Sequence, residues 1–232
     1  MTGILWLRRN PMSLVFTAIS PFSLLFVLFV VSGGDYIRPA IAGSLVMALV
    51  GYGLALGQDI SFYKTEYKIQ DVFVASPVSP LTYMMGLALS ELLFGLPALI
   101  VLASLLGFFA ESAAGIPFLI ATILLIWGSM SAMGFFLSSH MLHMRNATQV
   151  ISFVNVVLAI LPPVFYDIGT VPEAIQPLAY SVPTTHASLM LHQIMGDPTP
   201  PEWSLGFGLA VQLAYLIGFV ALAKTRAIWR ES

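Results

Sequence analysis

Between Arg9 and Asp35 the chain runs for 25 residues without a single Lys, Arg, Asp or Glu. At 1.5 Å per residue, about 20 residues of helix reach across the roughly 30 Å hydrocarbon core of a bilayer. The stretch is therefore a spanning helix, placed at 12–33. Five more apolar runs follow, at 39–58, 81–108, 115–138, 147–165 and 204–223. They are continuous rather than alternating, which selects helices over barrel strands. The composition fits: 58% of residues are hydrophobic and 9% charged, where about 25% charged is usual in a soluble domain. A soluble enzyme is excluded. So is a nucleic-acid binder, because the net charge is −2 and no basic patch exists. With no cysteine there is no disulfide and no thiolate chemistry. The expectation is one all-α transmembrane domain over 1–232 with six transmembrane helices.

Charge placement orients it. With the N-terminus in the cytoplasm, eight basic residues lie inside: Arg8, Arg9, Lys64, Lys68, Arg145, Lys224, Arg226 and Arg230. Only Arg38 lies outside, with Asp35, Glu111, Asp167, Glu173, Asp197 and Glu202. The positive-inside rule then gives both termini cytoplasmic. Trp6, Trp203 and Trp229 fall near span ends, as an aromatic belt would place them. The first span is too long for a cleaved signal peptide and no A-x-A site follows it, so it is retained. Asn10-Pro11 and Ser79-Pro80 each set a capping residue before a proline at the first helical position.

Two segments are not spans. Wound as a helix, 61–75 puts Phe62, Ile69, Val72 and Phe73 on one side and Lys64, Lys68 and Asp71 on the other. Such a helix lies on the membrane surface or against a partner. Pro77 and Pro80 then stiffen an elbow into the third span. On the outer side, Thr170-Val-Pro-Glu173 reads as a capping box starting a short helix near Val171. A second short helix over 184–195 stops at Gly196. Both are apolar enough to dip back into the outer leaflet as a re-entrant pair.

The polar residues at membrane depth are few. Glu91 is the one acidic residue inside a span as these are drawn. It faces protein or water, since a charge at a helix centre costs about 2.5–3.5 kcal/mol. Its neighbours Ala88, Gly95 and Ala98 are small, so that face packs on another helix. Glu91 is a wall of a substrate path or a proton site, or else a neutral acid bonded to a neighbour. Gln149 and Asn155 are helix glue or further pathway candidates. Gly53 with Gly57, and Ala210, Ala214 and Gly218, form close-packing faces.

Catalytic motifs are missing. The nearest string to a phosphate-binding loop, Gly218-Phe-Val-Ala-Leu-Ala-Lys224-Thr225, has Ala223 where the second glycine must stand. His140 and His143 have ligand spacing but no third ligand nearby. No H-E-x-x-H or G-x-S-x-G occurs. The chain is not expected to be an enzyme, and it carries no cofactor or metal of its own.

The stretch Tyr67-Lys-Ile-Gln-Asp-Val-Phe-Val-Ala-Ser-Pro-Val-Ser-Pro-Leu-Thr-Tyr-Met-Met-Gly86 resembles the cytoplasmic segment of type-2 ABC exporter permeases. Leu161-Pro-Pro-Val-Phe-Tyr166, Val171-Pro172 and Tyr180-Ser-Val-Pro-Thr184 resemble the family's re-entrant helices before the last span. The resemblance covers essentially the whole chain. Lys68-Ile-Gln-Asp71 departs from the family's usual acidic-Arg-Gly-Thr run, and the helix before the first span is cut to about ten residues. The resemblance implies a permease dimer in the cell membrane, formed with a second copy or a similar chain. Two separate ATPase subunits would hold the ATP and magnesium. It makes Phe62, Lys64, Lys68, Ile69, Asp71, Val72, Phe73 and Pro77 the contact with the ATPase. Pro172 and Pro183 become outer-gate candidates. The alternative is an ATP-independent carrier or scaffold that uses Glu91 as a proton-linked site.

Overall fold

The computed structural model describes residues 11–141 and 143–228. The segment 1–10 with Trp6, Arg8, Arg9 and the Asn10 cap lies outside them, as do Trp229 and Arg230. Among the described residues nine α-helices run in order: α1 Pro11–Val31, α2 Ile37–Thr65, α3 Ile69–Val74, α4 Pro80–Phe108, α5 Ile116–Ser139, α6 Met144–Ala159, α7 Gln176–Tyr180, α8 Pro183–Ile194 and α9 Leu205–Arg226. No strand occurs among the described residues.

Local chemistry sets the ends. The Ser79 hydroxyl accepts from Thr82 N at 3.1 Å, and Pro80 occupies the first turn of α4, the capping expected for this pair. Ser204 caps α9 in the same way through Phe207 N, at 3.2 Å. Gly196, with φ of 75°, ends α8, and Asp197 N then bonds back to His192 O at 2.9 Å. An L side chain resists that backbone conformation, so glycine supplies it.

Helices stand at all six expected positions. Among the described residues four stretches are long and apolar enough to cross a membrane: Ile37–Thr65, Pro80–Phe108, Ala113–Ser139 and Leu205–Arg226. α1 and α6 are not among them. The fifth expected run, 147–165, is cut short. α6 has 16 residues and stops at Ala159, because Pro162 and Pro163 cannot continue a helix and unsettle the residue before them. The second run is longer than expected and carries on through Thr65.

The bundle is built around α2. Helices α1, α4, α5, α6 and α8 all pack on it, and its most apolar window is 83% buried, against 11% for α9. Small residues make this possible. A Cβ on Gly57 would meet Gly134 O at 2.6 Å and Ile151 Cδ1 at 2.5 Å. A Cβ on Gly53 would meet the Met130 side chain at 2.5 Å and Ser131 N at 3.1 Å. The backbones of α2 and α5 therefore touch, as expected for the Gly53–Gly57 face. The Ala210, Ala214 and Gly218 series differs. It is exposed, and nothing lies within 4 Å of a Cβ built on Gly218.

Gly57→Ala should therefore destabilise the protein by about 1–3 kcal/mol, the usual cost of overpacking. Gly218→Ala should be neutral or slightly stabilising, since alanine is the better helix former. Thermal unfolding of the two variants in one detergent checks the contrast. Equal melting temperatures would remove the α2–α5 seam as a determinant of the fold.

Candidate functional site

One end of the bundle carries Lys64, Lys68, Arg145, Lys224 and Arg226. The expected continuous amphipathic helix over 61–75 is not what forms there. α2 runs to Thr65 and the chain turns at Lys68, whose φ is 51°. The six-residue α3 follows. A left-handed conformation at a non-glycine costs about 1–2 kcal/mol. Packing of the flanking turn holds it: Phe62 and Tyr67 meet edge to face at 4.8 Å, and Tyr67 N bonds to Phe62 O.

The break redistributes the expected contact residues. Phe62 and Lys64 sit half-buried on the last turns of α2, and Lys68 is exposed at the turn. The side chains of Ile69 and Asp71 lie outside the described residues. Val72 and Phe73 do not share a face: Val72 is 68% exposed, while the Phe73 ring packs 5.0 Å from Tyr83 on α4. Pro77 is exposed at the elbow, which Ser76 braces by donating to Phe73 O at 2.7 Å. Tyr63, Phe73, Val78, Thr82, Tyr83, Gly86 and Leu87 enclose a cavity of about 550 Å³ beside this elbow.

Glu91 is not alone, contrary to its expected place as the one acidic residue in a span. Asp59 lies on α2, because that helix continues past the expected end, and the two carboxyl groups hydrogen-bond to each other. Tyr63 lies within electrostatic range of both carboxyls. The small face of α4 seats them: Ala88 and Ala98 are buried, and the Tyr52 ring lies on Gly95 where any Cβ would overlap it. Gln149 is exposed, and the Asn155 amide faces Gly51 of α2. Neither joins the Asp59–Glu91 pair.

The opposite end holds α7 and α8. The short helix expected near Val171 begins at Gln176 instead. Asp167, not Thr170, does the capping: its carboxylate accepts from Gly169 N at 2.6 Å, in front of a 3-10 turn over Ile168–Thr170. Pro172 is exposed ahead of α7, and Pro183 is buried in the first turn of α8. Arg38 at the start of α2 bonds Asp197 at 2.8 Å, and His192 Nδ1 donates to the same carboxylate at 2.9 Å. Burial alone would raise Asp197, but the bonds from His192 and Arg38 outweigh it and hold the carboxyl below its ordinary range. His186 accepts from Trp203 Nε1 at 3.1 Å and donates through Nε2 to Tyr180 O at 2.9 Å. Indole is a donor only, so this geometry fixes the neutral Nε2–H tautomer. Burial lowers its pKa, against the Tyr180 bond, which raises it.

No group of three or more His, Cys, Asp or Glu that could hold a metal is found among the described residues. His140 Nδ1 instead donates to Phe136 O at 2.9 Å.

Two predictions follow from these contacts. Glu91→Gln keeps a bond to Asp59 and should leave stability unchanged. Glu91→Leu strands a buried carboxyl and should cost about 1–3 kcal/mol. Adding Asp59→Leu should recover part of that loss in thermal unfolding; a costless Glu91→Leu would show that the pair holds nothing together. At the other end, unfolding frees a histidine that takes up a proton more readily than buried His186 does. The His186 contribution is therefore complete above the ordinary value of 6.5 and is lost as pH falls below it. With Trp6, Trp127 and Trp229 replaced by phenylalanine, the fluorescence of Trp203 should shift over that fall, and His186→Gln should abolish the shift.

Compared with known protein families, the chain matches the one described as ABC-2 type transporter over residues 3–195. The match takes in α1 to α8 and with them both ends of the bundle. No curated protein matches the chain.

Proposed function

Because the chain belongs to the ABC-2 type transporter family, and is thus a transporter permease component of a multi-pass membrane protein class, we propose that it is the permease subunit of an ATP-driven exporter. In this reading all six long helices cross the cell membrane. The end with Lys64 and Arg145 faces the cytoplasm, as the positive-inside rule favours. Two copies, or this chain and a similar one, form the path. Two separate ATPase subunits bind ATP and magnesium and supply the energy.

The observation that carries the reading is the family match across the turn at Lys68, α3 and the elbow. This stretch stands at the basic end, with Val72 and Pro77 turned outward. Closure of the ATPases pushes on it. Phe73, through Tyr83, passes the push to α4, and the last turns of α2 pass it to the centre of the bundle. α7 and α8, with Pro172 and Pro183, form the outer gate. Gln149 and Asn155 remain pathway candidates on α6. The Asp59–Glu91 carboxyl pair is the observation that favours a second reading, an ATP-independent proton-linked carrier.

Reversal of Lys64, Lys68 and Asp71 together, and separately Val72→Asp, should weaken ATPase capture and uncouple hydrolysis from transport. Truncated interface anchors commonly cost about 2 kcal/mol or more. Membrane insertion should survive. A single cysteine at Lys64, in a chain that has none, reports the orientation in the same preparation. Capture and stimulated hydrolysis that stay at wild-type levels in both variants would overturn the coupling role. Failure of the wild-type chain to capture any ATPase would favour the carrier.

A further inference from the structure

At the acidic end, beside the first turns of α9, lies a second cavity of about 560 Å³. That is within the range of small-molecule sites. Five rings line it: Tyr180, His186, Trp203, Phe207 and Tyr215. Glu202 is the one charged residue on its wall, and no Lys or Arg lines it among the described residues. The nearest cation on that side in the sequence, Arg38, is bonded to Asp197 at 2.8 Å.

The walls are fixed in place. His186 takes the indole N–H of Trp203 on one ring nitrogen and bonds the Tyr180 carbonyl with the other. The Tyr215 hydroxyl donates to Ser181 O and ties α9 to the α7–α8 link. Thr185 Oγ1 donates to Ala179 O at 2.6 Å and locks α7 onto α8. The Phe207 ring meets the His186 ring edge to face at 5.6 Å and stays 52% exposed. The aromatic surfaces are therefore presented ready for a guest and do not have to gather around one.

Ring faces carry negative potential and attract a weakly hydrated cation, and a carboxylate beside them adds a full charge. The local field has that sign: burial first, then the negative charges of Asp167 and Glu202, hold the Tyr180 phenol above its ordinary pKa. The geometry points to an ammonium-binding cage in which the rings of Tyr180, Trp203, Phe207 and Tyr215, with Glu202, take up an alkylated amine headgroup. The headgroup comes from a membrane lipid or from a free amphiphilic amine; the recognition chemistry is the same. The cage is built from this chain alone, so it stands or falls separately from ATPase coupling.

The test uses the full chain in nanodiscs of phosphatidylglycerol, which offers no ammonium group. Choline is the probe, and 3,3-dimethyl-1-butanol is its neutral isostere. Calorimetry should show saturable choline binding, with the isostere weaker by about tenfold. Glu202→Gln should weaken choline by about fivefold, and Phe207→Leu should act in the same direction. Both residues are exposed, so the variants fold, and unchanged thermal unfolding of each verifies this. Loss of choline binding in phosphatidylcholine discs assigns the cage to the lipid headgroup. Undiminished binding there assigns it to a free amine. Equal binding of the isostere, displacement of choline by maltose, or wild-type affinity in both variants would overturn the cage.

Discussion

The contact on which the rest of the structure depends is the meeting of the α2 and α5 backbones at Gly53, Gly57 and Gly134. Lipid tails are as apolar as leucine, so helices in a bilayer associate through close packing and not through escape from water. Removing three side chains from the seam lets the two helices approach until backbone meets side-chain root. That approach sets the depth of α2 in the bundle. It also puts the remaining faces of α2 within reach of α1, α4, α6 and α8. Tyr52 can then lie on Gly95 and Asp59 can face Glu91. A centrally buried α2 is what turns a set of apolar rods into a unit with two distinct ends.

Those ends differ in kind. At the basic end the chain leaves α2 through a turn with Lys68 in a left-handed conformation, and re-enters the bundle by a proline elbow capped by Ser79. Between them α3 packs on α2, and its Phe73 ring lies on Tyr83 of α4. At the acidic end α7 and α8 are knitted to α2 and α9 by Arg38, His186, Trp203 and Tyr215.

The membrane class, the helix positions and the Ser79 cap were legible in the sequence because each rests on local rules: runs of apolar residues, and capping chemistry within one turn. What escaped was nonlocal. Asp59 read as the first loop residue, since a carboxylate usually marks a span end. Its partner Glu91 sits on a helix that begins only at Pro80, beyond the reach of any local pattern. The amphipathic pattern over 61–75 was real as a pattern, but the ring contacts of Phe62 and Tyr67 broke the helix that the pattern requires. Thr170 had capping-box spacing, yet Asp167 lay three residues earlier with the better acceptor. The cavity lined by Tyr180, Trp203, Phe207 and Tyr215 had no linear signature, because its rings come from two helices, α7 and α9, and the loop before α9.

The α2–α5 seam also has a consequence in time. α2 leaves the ribosome long before α5 is made, and α4 must be threaded between the two in sequence order. Until α5 arrives, the glycine face of α2 is an open groove in the bilayer, attractive to any small-residue helix that drifts past.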